Sequence, residues 1–121
     1  MLHKGVVVRV VVGAFGAIAR MGILELLCEE GFDVVAEQAP GAPARPILDR
    51  LTEARPDVVL LDLDDEECLR DAAWIASSFP SVTVVACSAD EPAMRVFPPF
   101  HRGESYALPL DRDRLVQAVR G

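Results

Sequence analysis

Aromatic side chains are scarce in this chain, only 6% of residues, so its interior has to be built from aliphatics. Positive charge is short as well: twelve Lys and Arg face nineteen Asp and Glu, a formal charge of −7. A domain with that balance is not equipped to hold nucleic acid through its phosphates. Cys28, Cys68 and Cys87 have no metal-type spacing, and each falls among apolar residues, which reads as buried free thiols. No stretch approaches the roughly 20 apolar residues that span a bilayer. The apolar run 6–12 is too short for a signal peptide and lacks a cleavage-like flank. Histidine occurs twice, as His3 in the N-terminal tail and His101 after a Pro-Pro pair, and no Ser/His/Asp or Tyr/Lys set stands at a catalytic spacing. These absences lead us to expect a soluble, cytoplasmic domain that is not an enzyme and has no membrane partner.

What is present is 51% hydrophobic content, biased to Val, Leu and Ala, in 121 residues. That length gives one domain, 1–121, with a real core. The most informative stretch is RPDVVLLDLDD, residues 55–65. A short apolar run without alternation reads as a strand buried on both faces. Burying a carboxylate costs several kcal/mol, so Asp62 belongs where that strand meets solvent. In open α/β sheets, ligands and chemistry gather at that carboxyl end.

Strand and helix signals alternate along the chain. Strands are expected at 6–12, 33–37, 57–63, 82–87 and 105–108. Helices are expected at about 17–30, 46–54, 66–78 and 111–120. Gly31 suits the C-terminal cap of the first helix. The segment 39–46, APGAPARP, carries three prolines and a glycine and must be a loop or a late helix start. The segment 91–103, EPAMRVFPPFHRG, should begin as a helix that Pro98–Pro99 breaks or kinks. Leu115, Val116 and Val119 form the buried stripe of the last helix. Alternating βα units imply an α/β fold, a doubly wound parallel sheet with right-handed crossovers.

These pieces, in this order, resemble the receiver domain of bacterial two-component response regulators over nearly the whole chain. Arg20, Gly22 and Ile23 match the opening helix. RPDVVLLDL puts Asp62 at the phosphoacceptor position. VTVVACSA puts Ser88 at the switch hydroxyl, and RGESYALPLDRDRLVQAVR supplies the switch aromatic, Tyr106, and the family's proline, Pro109. The resemblance implies a five-stranded flavodoxin-like (βα)5 sheet of order 2-1-3-4-5. It also exposes departures. The acidic pair that collects Mg²⁺ falls on Ala14 and Phe15, or on Gly13 and Ala14 after a one-residue slip, and neither register offers a carboxylate. The lysine that pairs with the phosphoryl group is replaced by Leu108. The loop after Asp62 reads LDDEE, without the family's Met-Pro and later Gly. A divalent cation and a basic side chain are what neutralise an incoming phosphoryl group, so weak or absent Mg²⁺ binding is expected, with no other cofactor.

Other residues admit two readings each. Asp64, Asp65, Glu66 and Glu67 form either a substitute metal site or an acidic, helix-stabilising first turn of the third helix. Phe15 and Leu108 can pack across the vacated pocket. Gly13, Gly16 and Ala19 have a G-x-x-G-x-x-A spacing, with Glu37 placed to hold a ribose; this resembles a nucleotide-binding Rossmann-like domain of strand order 3-2-1-4-5, or else a tight strand-to-helix turn. Phe97 and Phe100 are either partner contacts or core. Ile23, Leu26 and Leu27 fit an ordinary buried stripe. The reading that unites these features is a pseudo-receiver in signal transduction, working without phosphorylation through a protein partner, a homodimer or a small-molecule ligand. It would be the regulatory part of a transcription factor whose DNA-binding domain lies elsewhere. The alternatives are a phosphoaccepting response regulator using Asp62, and the small nucleotide-binding domain.

Overall fold

A computed structural model describes residues 7–39, 47–88 and 90–121, with side chains from 51 onward in the second of these segments. His3, the start of the 6–12 run and nearly all of the 39–46 loop lie outside the described residues. The elements run β1 (Arg9–Val12), α1 (Ala17–Glu29), β2 (Asp33–Glu37), α2 (Ile47–Ala54), β3 (Val58–Asp62), α3 (Cys68–Ser78), β4 (Thr83–Cys87), β5 (Ala93–Phe97), β6 (Tyr106–Pro109) and α4 (Arg112–Arg120). They form one sheet of order β2-β1-β3-β4-β5-β6. β2, β1, β3 and β4 are mutually parallel, with Val12 beside Leu60 and Asp62 beside Cys87. The fold class is therefore the expected doubly wound α/β, with the expected order through its first four strands. Its β2-β1-β3 start is not the 3-2-1-4-5 arrangement of the nucleotide-binding alternative.

The two faces of the sheet are covered separately. Val11, Val59, Leu61 and Val84 point to one side, where Ala72 and Ile75 of α3 and Leu51 of α2 seal them. Val10, Val12, Leu60 and Val85 point to the other, under Leu27 of α1 and Leu115 and Val119 of α4. The uninterrupted apolar runs of β1, β3 and β4 follow from this, because both parities of each strand are buried.

The sheet departs from expectation after β4. No helix forms at 91–97; Ala93–Phe97 is a strand, antiparallel to both β4 and β6. Pro92 and Pro98 leave only five residues between them, too few for a stable helix. The alternation in AMRVF suits a strand: Met94 and Val96 enter the α1–α4 core while Phe97 enters the α3 core. The result is six strands instead of five, with β6 still running in the direction of β1–β4 but one position farther out. Leu110 N–H donates to Pro92 O at 2.8 Å, which sets the phase of the hairpin. Leu108 and Tyr106 then pair inward, and Pro109, which has no N–H, falls on the outer edge where no donor is needed.

Candidate functional site

Three chain segments meet at the carboxyl end of the sheet: the β1–α1 turn, the β3–α3 loop and the β4–β5 turn. Gly13 opens the first. Its N–H donates to Leu60 O at 2.8 Å, and a Cβ there would stand 2.8 Å from that same oxygen. Close approach to β3 therefore accounts for this glycine without a nucleotide. Gly16 precedes α1 with open space around it, and Glu37 is held by Arg20 at 3.8 Å. Arg20 also donates to Gln38 O.

Asp62 ends β3 half-buried. Its Oδ1 accepts the N–H of Asp64 at 2.9 Å. Burial pushes its carboxyl above the usual range; the Asp64 N–H opposes this, and the charges of Asp64, Asp65 and Asp90 reinforce it. Beside it lies a hollow of about 20 Å³ lined by Ala14, Gln38, Asp65 and Cys68, room for about one water. Of the two residues at the acidic-pair position, Ala14 faces this hollow, whereas Phe15 turns away and is buried in the α1–α4 core. Among the described residues, no three His, Cys, Asp or Glu side chains come together in a way that could hold a metal ion. Asp64, Asp65, Glu66 and Glu67 do not form the first helical turn, since α3 begins at Cys68. They form the turns that precede it, with Glu67 N–H donating to Asp65 Oδ1 at 3.0 Å. The chain's single lysine, Lys4, lies outside the described residues.

Ser88 is buried at the end of β4 and fully engaged. Its N–H donates to Ala93 O, and its hydroxyl donates to Asp64 Oδ1 at 2.6 Å. The same oxygen accepts the amides of Asp90 (3.2 Å) and Glu91 (3.0 Å). Ser88 thus closes the β4–β5 turn. Leu108 and Tyr106 are not its neighbours: Leu108 pairs with Met94, and Met94 pairs with Cys87. Met94 therefore fills the place beside β4, and Leu108 packs at the margin of the Phe15 core one strand farther out. Phe15 and Leu108 thus share one core cluster, with Leu108 at its margin. Tyr106 is half-exposed on β6, two strands from β4.

The two candidate contact phenylalanines separate. Phe97 is 3% exposed and belongs to the core, while Phe100 is 73% exposed and sits at φ 63°, a left-handed conformation unusual for a bulky residue. Its N–H is held by Pro80 O at 2.7 Å. Half-exposed Trp74, which meets Phe79 edge-on at 6.5 Å, is a further surface aromatic that the sequence pattern had not singled out. His101 is exposed, its Nδ1 donating to Pro99 O. Cys68 and Cys87 are buried, and burial together with nearby aspartates pushes both thiols up to about 12. Cys28 is exposed, contrary to the expectation of a buried thiol.

No protein-family model matches the chain, and no curated protein matches it in sequence. Among solved structures, a response regulator from Thermotoga maritima superimposes with a TM-score of 0.58, covering 95% of this chain and 78% of that one. The fold is receiver-like. At 21% identity the likeness is one of architecture. β5 lies beside β4, so β6 stands one position farther out than the expected strand order places it. Among the described residues no helix is long and apolar enough to cross a membrane.

Proposed function

We propose that this chain is a pseudo-receiver: a signal-transduction module that does not depend on phosphorylation of Asp62 and that regulates through contacts with a protein partner, a second copy or a small ligand, as the regulatory part of a transcription factor. The observation that carries the reading is the commitment of Ser88. A switch hydroxyl has to leave its resting partners and turn to the phosphorylated aspartate. Ser88 is instead fixed to Asp64 and to two turn amides. The charges acting on Asp62 point the same way, because they come from Asp64, Asp65 and Asp90. Converting the Asp62 carboxylate to an acyl phosphate adds about one more negative charge among them. In this reading Leu108, Ala14 and Phe15 are the vestiges of the lysine and acidic-pair positions, and exposed Phe100 is available for a partner.

Amide NMR spectra with Mg²⁺, before and after adding beryllofluoride as a phosphoryl mimic, test the proposal. The expected result is an unchanged spectrum at Asp62, Ser88 and Tyr106. Saturable shifts centred on those residues would restore the phosphoaccepting alternative.

A further inference from the structure

α4 is anchored through Leu115 and Val119 to the same face of the sheet that α1 covers. Between the two helices lies a groove of about 520 Å³. Phe15, Cys87 and Ser88 form its buried floor, Ile18, Ala19 and Gly22 of α1 line one wall, and Leu110 and Leu115 line the other. One end is tied by Arg112, which donates to Glu29 at 3.0 Å and Glu30 at 3.2 Å, and by Arg120, which donates to Glu30 and lies over the Phe32 ring. The volume falls within the roughly 300–1,000 Å³ of drug-sized ligand sites, which are mainly apolar with a few polar groups.

We infer that this groove is a binding site for a neutral, hydrophobic small molecule. The size and the apolar walls set the hydrophobic class. Charge sets the rest. Arg112 is already shared by two glutamates and Asp111 contributes a carboxylate held by Arg114, so among the described residues lining the groove no free cation waits for an anionic ligand. The floor reaches Phe15, Cys87 and Ser88 at the sheet, which favours a small molecule settled between the helices over a partner helix laid along the rim. Ile18, 88% exposed at the rim, is placed to fold over an occupant. Gly22 keeps the wall flat, since a Cβ there would meet nothing within 4 Å. Asp62 does not line the groove, although its sheet partner Cys87 and the neighbouring Ser88 do. The groove's wall and floor belong to the hairpin base, since Leu110 bonds to Pro92 and Ser88 closes the turn.

Nile red, an uncharged solvatochromic probe, tests the proposal on the full chain. The expected result is saturable one-to-one binding with a blue shift, and amide shifts at Ile18, Ala19, Ile23 and Leu115. The variant Gly22→Leu fills the groove while replacing a poor helix former, so it should melt no lower than wild type and bind at least tenfold more weakly. Ile18→Glu, a change at a fully exposed position, should weaken binding severalfold and serves if the first variant misfolds. The anionic probe anilinonaphthalene sulfonate should bind at least tenfold more weakly than Nile red. Unsaturable binding, equal affinity in both variants, or shifts centred on Trp74 and Phe100 would overturn the site. Equal affinity for the anionic probe would overturn the ligand class.

Discussion

Replacing Ser88 by alanine separates a structural hydroxyl from a mobile one. The hydroxyl makes three hydrogen bonds: donated to Asp64 at 2.6 Å, and accepted from Asp90 and Glu91 at 3.2 and 3.0 Å. A hydrogen bond to a charged group is worth about 1.5–3 kcal/mol when buried, but Asp64 is exposed and water screens it, so about 1 kcal/mol is the appropriate figure. The two amides lie on an exposed turn and recover water, much as when a helix loses its N-cap, at a further cost of about 1 kcal/mol. Ser88→Ala should therefore lose about 2 kcal/mol, read as a fall of about 1 M in the urea midpoint with an unchanged slope. A cycle with Asp64→Ala should give a coupling of about 1 kcal/mol between the two side chains. A loss under about 0.5 kcal/mol, or zero coupling, would refute the reasoning, because a hydroxyl that waits to reorient contributes little to the resting fold.

Phe97→Ala should cost about 3–5 kcal/mol, as for a core aromatic, while Phe100→Gly should be neutral or gain up to about 1 kcal/mol by relieving a left-handed backbone; thermal melts distinguish the two, and equal effects would contradict the burial difference. Asp62→Asn keeps the acceptor for the Asp64 amide and removes a carboxylate whose folded pKa is raised, first by burial. For such a group the associated stability is present below the unfolded value of about 4 and is lost as pH rises through the folded value. The variant should therefore be more stable than wild type at pH 7, with the gap closing below about pH 4; a less stable variant at neutral pH would show that the carboxylate is favourably paired.

Local pattern was enough for most of this architecture. The runs Val58–Leu61 and Val84–Ala86 had to be buried on both faces, and a carboxylate following the first of them had to emerge at a strand end, so Asp62 and the parallel sheet were legible before any contact was known. The spacing of Leu115, Val116 and Val119 likewise fixed the inner face of the last helix. Segment 93–97 was different. Five residues between prolines carry too little local signal to choose between a broken helix and a strand. That choice rests on hydrogen bonds to β4 and β6, the strands before and after it, which lie outside the five residues themselves. Everything downstream of the choice was hidden with it. Phe97 and Phe100 flank the same two prolines, yet the pairing of Phe97 with Val84 buries one while the turn held by Pro80 exposes the other. Leu108 follows the receiver pattern in sequence but stands a strand too far from β4 in space. The sequence by itself determined which faces are apolar and where the acids collect, because side-chain periodicity and the cost of buried charge are local. Only the tertiary structure decided which strand lies beside β4, what Ser88 bonds to and that α1 and α4 enclose a groove, because those depend on pairings between segments that local propensity does not encode.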